Sequence, residues 1–258
     1  MKHSFIQFIV IGAAVLLGWS CEKNTLTLPV ESVTGGARVK LIHAAPEAPG
    51  VDLLIGGKKF SGFTPAGAST TNPGTPVPIR YDNTFPERGA NYTIVPAGAS
   101  EVTITAPATT TAGSATVIST QNLTLDDNKY YSLIVAGNAA RQEVVLVNDD
   151  FSGALDPSKF YVRFVNLIAG QNYDLALSSA NAPALVANLP YKGVSPFVPV
   201  DVSNNASFVL RASGSVTPIG TSLSFTNTAN GRVLTIYARG IAGRTGTVAP
   251  GINIYTNR

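Results

Sequence analysis

The sequence predicts an all-β protein made of two tandem β-sandwich domains, immunoglobulin-like or transthyretin-like. Three observations predict it. First, Thr, Ser, Val and Asn are abundant, there are 24 Gly and 17 Pro in 258 residues, and only 13% of residues are charged. β-Branched side chains suit a pleated surface, and Gly and Pro punctuate turns. Second, short alternating segments follow one another while no long segment carries a 3.6-residue period. Third, the order of strands recurs after about 100 to 120 residues, a spacing too long for a solenoid unit and right for two sandwich domains.

The chain opens with a segment that is set apart from the fold. Lys2 and His3 are basic, and residues 5–17 form an apolar run. That run is shorter than the about 20 residues a membrane-spanning helix needs, and it fits the core of an export signal. Gly18, Trp19 and Ser20 then precede Cys21, the single cysteine. Small residues before a cysteine suit a lipoprotein signal peptidase, and Trp19 resembles the looser cleavage boxes of Bacteroidetes-type bacteria. The expectation is a signal peptide over residues 1–20 and a lipid on Cys21. Two acyl chains or more give stable anchoring. Residues 21–36 read as a tether. Residues 25–30 have some strand character, but Pro29, Gly35 and Gly36 favour a spacer.

The first domain is expected over residues 37–150. Residues 38–43 alternate, with Val39, Leu41 and His43 on one face. Residues 51–55, the Gly56-Gly57 turn and residues 58–60 read as a hairpin. Residues 61–78 read as a loop. Further strands are expected at 79–81, 92–96, 101–105, 115–125, 129–136 and 143–148. A turn is expected at Asp126-Asp127-Asn128.

Residues 151–158 are rich in Ser, Gly, Asp and Pro and read as the linker to a second domain over 159–258. Residues 161–166 line up with 38–43, and 172–177 with 50–55. Residues 232–240 line up with 130–137, and both copies close on an alternating strand, 144–147 and 251–255. Asp52 and Asp174 share the same place in the alignment.

The run His43-Ala44-Ala45-Pro46-Glu47-Ala48-Pro49-Gly50-Val51-Asp52 resembles the His-Ala-Ser-Pro-Asp-Ala-Pro-x-Val-Asp signature of bacterial domain-of-unknown-function family 4397. Asn148-Asp149-Asp150-Phe151-Ser152 and the segment from Ala249 to Arg258 are also similar to that family. The resemblance implies an exported, β-rich protein with tandem copies, and no known activity. The sequence departs from the signature at Ala45 and Glu47, and the second copy replaces the proline motif with Asn166-Leu167-Ile168-Ala169-Gly170-Gln171-Asn172.

Read physically, Pro46 and Pro49 fix φ around Glu47-Ala48 and forbid helix. His43, Pro46, Pro49 and Asp52 are therefore expected to form a structural corner, with Asp52 accepting backbone N–H bonds from the turn. His43 is the only histidine beyond the export signal. A Ser-His-Asp triad would need it, yet no Gly-x-Ser-x-Gly motif accompanies it. No metal site and no cofactor are expected, because zinc favours several His or Cys ligands. The Asp126–Asn128 and 148–150 clusters match no calcium loop and read as turns.

The net charge is +3 with cations scattered singly, and no basic stripe interleaved with aromatics argues for nucleic acid. Tyr81, Tyr92, Tyr130, Tyr131, Tyr173, Tyr191 and Phe197 are the aromatics that could stack on sugar rings, although alternating aromatics in sandwiches are usually core. Tyr191 and Phe197 lie in the Pro/Gly-rich loop 190–199 and are the candidate ligand contacts. The expected function is non-enzymatic: a lipid-anchored outer-membrane protein, periplasmic or cell-surface facing, with a binding or scaffolding role. Its partner would be a glycan or an envelope protein. The alternatives are a fimbrillin-like structural subunit and a carbohydrate-binding lipoprotein of a polysaccharide-uptake system.

Overall fold

The computed structural model describes residues 35–62, 67, 69, 71, 77–108, 114–154, 156–179, 181–201, 206–225 and 231–258. The expected signal peptide, Cys21, most of the tether and the segment 25–30 lie outside the described residues. Gly35–Arg258 is one compact unit.

In the N-terminal half the strands are β1 (Ala37–His43), β2 (Asp52–Ile55), β3 (Lys58–Lys59), β4 (Thr84–Phe85), β5 (Thr93–Val95), β6 (Gly98–Ala106), β7 (Thr116–Leu125), β8 (Tyr130–Gly137) and β9 (Gln142–Asn148). The C-terminal half contains β10 (Lys159–Asn166), β11 (Tyr173–Leu177), β12 (Ala184–Leu189), β13 (Val198–Asp201), β14 (Ala206–Ala212), β15 (Pro218–Phe225), β16 (Val233–Arg239) and β17 (Gly251–Thr256). All-β character is thus legible in the composition.

Pairing follows one scheme in both halves. One sheet runs β4-β1-β8-β9, with β5 also on β1, and its counterpart runs β13-β10-β16-β17. The other sheets run β3-β2-β6-β7 and β12-β11-β14-β15. In each half the first strand lies parallel to a late strand, Arg38 opposite Tyr130 and Tyr161 opposite Val233. This register moves the sequence alignment by one residue: Tyr130 corresponds to Val233, and Gly137 to Gly240. Both glycines have positive φ, 103° and 117°. A Cβ on either would sit within 2.5 Å of a backbone carbonyl, so only glycine fits.

Each half packs its two sheets face to face in a β-sandwich-like arrangement. Val39, Leu41, Leu133 and Val135 meet Leu53, Val102 and Ile104 in the first core. Phe160, Phe164 and Ile236 meet Leu175, Phe208 and Leu210 in the second. Among the described residues no strand pairing crosses 149–158, but packing does. Ile42, Ala44, Ile134 and Val147 of the first half bury against Val165, Leu167, Tyr237 and Tyr255 of the second. The sheets of β1 and β10 therefore have both faces covered. Their strands read as nearly continuous apolar runs for that reason.

Three expected elements differ. Residues 79–81 contribute only a bridge, Ile79 to Val51. The chain then turns at Tyr81-Asp82, where Asp82 has φ 65° and its N–H donates to the His43 carbonyl, and the strand forms later at β4. The stretch 190–199 holds more structure than a loop, since β13 begins at Val198 and pairs with β10. Pro199 is tolerated there because β13 is an edge strand. Residues 148–150 end β9 with Asn148 and Asp150 exposed and Asp150 accepting from Ser152 N–H at 3.0 Å, but the Asp149 side chain between them is buried.

Candidate functional site

His43 ends β1 with its ring buried. Nε2 lies 2.9 Å from the Pro49 carbonyl, and Nδ1 accepts from the Ala45 N–H at 3.4 Å. These partners call for the neutral tautomer with the proton on Nε2. Burial lowers the His43 pKa, opposed by the Pro49 carbonyl. In the second half Asn166 takes the same place, donating from Nδ2 to the Leu189 carbonyl at 3.0 Å and accepting from Ile168 N–H at 3.0 Å. The amide reproduces the bond from the N–H two residues on, but its main donor bond goes to a carbonyl of β12 rather than to the following turn. Pro46 and Pro49 flank Glu47, which has φ 61°.

Asp52 differs from its expected role. It pairs with Lys59 Nζ at 2.7 Å, while Oδ1 is buried without a partner. Its counterpart Asp174 is the one that accepts backbone N–H groups, from Asn188 at 2.6 Å and Gly214 at 3.2 Å.

Tyr191 and Phe197 are both half-buried and far from forming a shared open platform. Lys192 Nζ lies 5.2 Å from the Tyr191 ring centre, and the Arg163 guanidinium lies 4.7 Å from that of Phe197. The two rings lie in separate depressions.

What the structure assembles instead lies along the seam between the halves. Alternation sends Val39 and Leu41 of β1 into the first core and turns Lys40 and Ile42 toward the second half. Likewise β10 sends Phe160 and Phe164 into its own core and turns Arg163 and Val165 into the seam. Arg163 pairs there with Asp149, both nearly free of solvent. Asp149 also accepts from Tyr92 OH and Ser132 Oγ, each at 2.6 Å. Arg163 Nε donates to Thr235 at 3.1 Å, and Thr235 donates to Asn257 at 2.8 Å. Asn257 closes the network by donating to Tyr92 OH at 2.7 Å.

The charges respond to burial. Desolvation lowers the Lys40 pKa to about 8, partly offset by Asp149. Burial, then Asp149, raises that of Tyr92 far above the usual range. For Arg163, burial works against the charged form, but Tyr255 and Asp149 outweigh it and hold the guanidinium protonated.

From this network an aromatic row runs outward. Tyr92 and Tyr130 meet edge to face at 5.1 Å, Tyr130 and Phe151 at 4.8 Å, and Phe151 and Phe197 at 6.5 Å. Every ring carries a cation. Lys40 lies 5.2 Å from Tyr92, Arg38 5.2 Å from Tyr130, Arg258 5.5 Å from Phe151, and Arg163 lies over Phe197. A groove of about 380 Å³ opens beside this row, lined by Arg38, Asn91, Tyr92, Ile94, Tyr130, Phe151, Asn257 and Arg258. It falls within the usual size range of small-molecule sites. A second depression of about 300 Å³ shares Phe151 and reaches Arg163 and Phe197.

Sequence reading brought Phe197 to the row but missed the groove. Tyr92 and Tyr130 stand among the aromatics able to stack on a sugar ring but not among the two singled out for exposure, and Arg38 and Arg258 are scattered cations. The clue was the run of polar residues on the second face of apolar strands: Lys40, Ser132, Arg163 and Thr235.

Among solved structures, the chain is similar to a family CBM26 module (CBMbc) of Eubacterium rectale Amy13K in complex with maltoheptaose. The alignment has 10% identity and a TM-score of 0.25, over 85% of this chain and 97% of that one. It is also similar to a family 41 carbohydrate-binding module from streptococcal virulence factors, at 10% identity and a TM-score of 0.25, over 86% and 98%. At that TM-score neither alignment carries an argument about ligands. No curated protein matches the chain. One family model does match, over residues 37–176, which is the whole N-terminal half together with β10 and β11. The chain belongs to the domain of unknown function family DUF4397.

Proposed function

We propose that this chain is a non-enzymatic envelope lipoprotein, held to the outer membrane by Cys21, that binds a sugar unit of a glycan in the seam groove. The groove beside Tyr92, Tyr130 and Phe151 carries this reading. It combines what a pyranose ring needs: aromatic carbon for its C–H faces and amide and guanidinium donors for its hydroxyls. Arg38, Ile94 and Tyr130 stand on β1, β5 and β8, while Asn91, Tyr92, Phe151, Asn257 and Arg258 lie just outside the strands. Tyr92 is fixed by Asp149 and Asn257, and Tyr130 starts β8. The two sandwich-like halves arise in this view from duplication, joined at 151–158, with the ligand site where they meet.

Catalysis has no support in the motif region, since the His43 ring is buried and both nitrogens are engaged. The fimbrillin-like alternative is disfavoured by the position of β1. It lies inside its sheet, between β4 and β5 on one side and β8 on the other. Its loss for strand exchange would strip the first core of Val39 and Leu41.

The test is titration calorimetry of the detergent-solubilised full chain against a panel of neutral and acidic oligosaccharides. At least one should bind, and Tyr130→Ala should abolish binding while the circular dichroism spectrum stays unchanged. Binding that survives Tyr130→Ala, or no binding to any member, would remove the groove as a glycan site.

A further inference from the structure

The proposed groove carries an electrostatic feature that narrows its ligand. Arg38 and Arg258 both line it, and each lies over a ring that the other groove residues support. Neither guanidinium has a carboxylate partner among the described residues. Arg38 uses only Nη1, donating to Asn128 Oδ1 at 3.0 Å and weakly to the Gly36 carbonyl at 3.4 Å. Arg258 uses only Nη2, on the Ala154 carbonyl. The carboxylates on neighbouring segments are engaged elsewhere. Asp127 accepts from Gly36 N–H and from the Asn128 amide. Asp149 is consumed by Arg163, Tyr92 and Ser132, and Asp150 accepts from Ser152 N–H. The main-chain oxygen of Arg258 accepts from Val233 N–H at 2.9 Å and is tied into β16.

Two guanidinium groups thus present unused N–H donors to one cavity, oriented by the rings beneath them. A guanidinium fork matches a carboxylate bidentately, and stacking on an aromatic ring restricts its orientation before the ligand arrives. Resting on the glycan reading above, we propose that the groove selects an acidic sugar, a hexuronic acid unit whose carboxylate is bound by Arg38 and Arg258 while its ring lies along Tyr130 and Phe151. A neutral sugar would leave both cations without an anion and gain only the ring contact.

The experiment compares trigalacturonic acid, maltotriose and inorganic phosphate by calorimetry with the full chain in detergent. Trigalacturonic acid should bind, and weaken as salt rises from about 50 to 500 mM because the contact is ionic. Arg38→Gln and Arg258→Gln should each cost about tenfold or more in its affinity, in keeping with a charge-assisted bond. Arg258 is exposed and Arg38 half-buried, with its guanidinium on the open side of Tyr130, and an unchanged melting temperature checks that folding persists. Maltotriose binding as tightly as the acid, indifferent to both arginine variants, would overturn the acidic selection and leave the glycan reading standing. Phosphate binding as well as the acid would reduce the site to a general anion patch and overturn the proposal. No binding by either sugar would remove this inference together with the glycan site.

Discussion

Arg163 of β10 donates from Nη2 to Oδ1 of Asp149, the residue that follows β9, and this ion pair lies buried between two halves whose described strands do not pair with each other. Neither charge could stand there alone. Three donors satisfy Asp149 in the buried seam, and they come from both sides: Arg163 from one half, Tyr92 and Ser132 from the other, with Tyr255 OH of the second half donating in turn to Ser132 Oγ at 2.8 Å. The pair therefore ties the halves by necessity rather than by strength, because a buried pair yields little net stability while a broken one leaves an uncompensated charge.

The first prediction concerns that pair. Arg163→Met alone and Asp149→Leu alone should each destabilise the chain by about 3 to 5 kcal/mol, and the double variant should cost much less than their sum. Denaturant unfolding of the four proteins measures it. Additive losses would mean the two charges do not depend on each other.

The halves are also predicted to unfold together, despite their separate sheets. The seam buries Ile42, Ile134, Val165 and Tyr237 alongside the ion pair. Exposing it would uncover apolar surface at about 25 cal/mol per Å² as well as two charges. Hydrogen exchange should report the same opening free energy for amides of β8 and β16. A C-terminal half that opens well before the N-terminal one would show that the seam is not coupling them.

Lys40 sets a dependence on alkaline pH. Its ammonium donates to the carbonyls of Ala90 at 2.7 Å and Thr256 at 3.1 Å, yet burial lowers its pKa to about 8 from 10.5. Between these values the unfolded chain binds more protons than the folded one, so this group makes stability rise with pH from about 8 toward 10. Above 10 the buried tyrosines act in the opposite sense. Tyr92, Tyr237 and Tyr255 have pKa values raised chiefly by burial, so unfolding releases their protons and stability falls. The melting temperature should climb between pH 7.5 and 9.5, and Lys40→Met should flatten that climb. An identical slope in the variant would assign the effect elsewhere.

On the acid side the relevant group is His43. Burial lowers its pKa, so as pH falls below 6.5 the unfolded chain takes up a proton that the folded chain resists, and stability is lost. His43→Asn, the residue at the matching place of the second half, should remove that acid sensitivity while keeping the bond to the Ala45 N–H and giving up the one to the Pro49 carbonyl. His43→Ala should instead lower stability at every pH by about 1 to 3 kcal/mol, because it strands the partners. Thermal melts between pH 5 and 7.5 distinguish the two.

Cys21 is predicted to carry the lipid. Mass spectrometry of the membrane fraction should find the chain starting at Cys21 with acyl mass attached, and Cys21→Ser should release it or stall its processing. An unmodified Cys21 at the mature terminus would sink the anchor and with it the proposed location.

The sequence by itself determined the all-β class and the places of many strands, while β4 and β12 to β15 carried no expectation. Those properties are local. Alternation, β-branched content and turn residues act within a few positions, which is why β1, β7, β8, β10 and β16 stand close to where the pattern puts them. The corner residue His43 was legible for the same reason, since its partner Pro49 is six residues away. Tertiary structure alone decided what the second face of β1, β8, β10 and β16 would meet. A strand pattern shows that Lys40 and Arg163 point away from Leu41 and Phe164, but solvent and a neighbouring sheet look identical from one strand. Only the packing of the two parallel-strand sheets against each other buried those cations, brought Asp149 to Arg163, and left the groove between Arg38 and Arg258 at the edge of the seam.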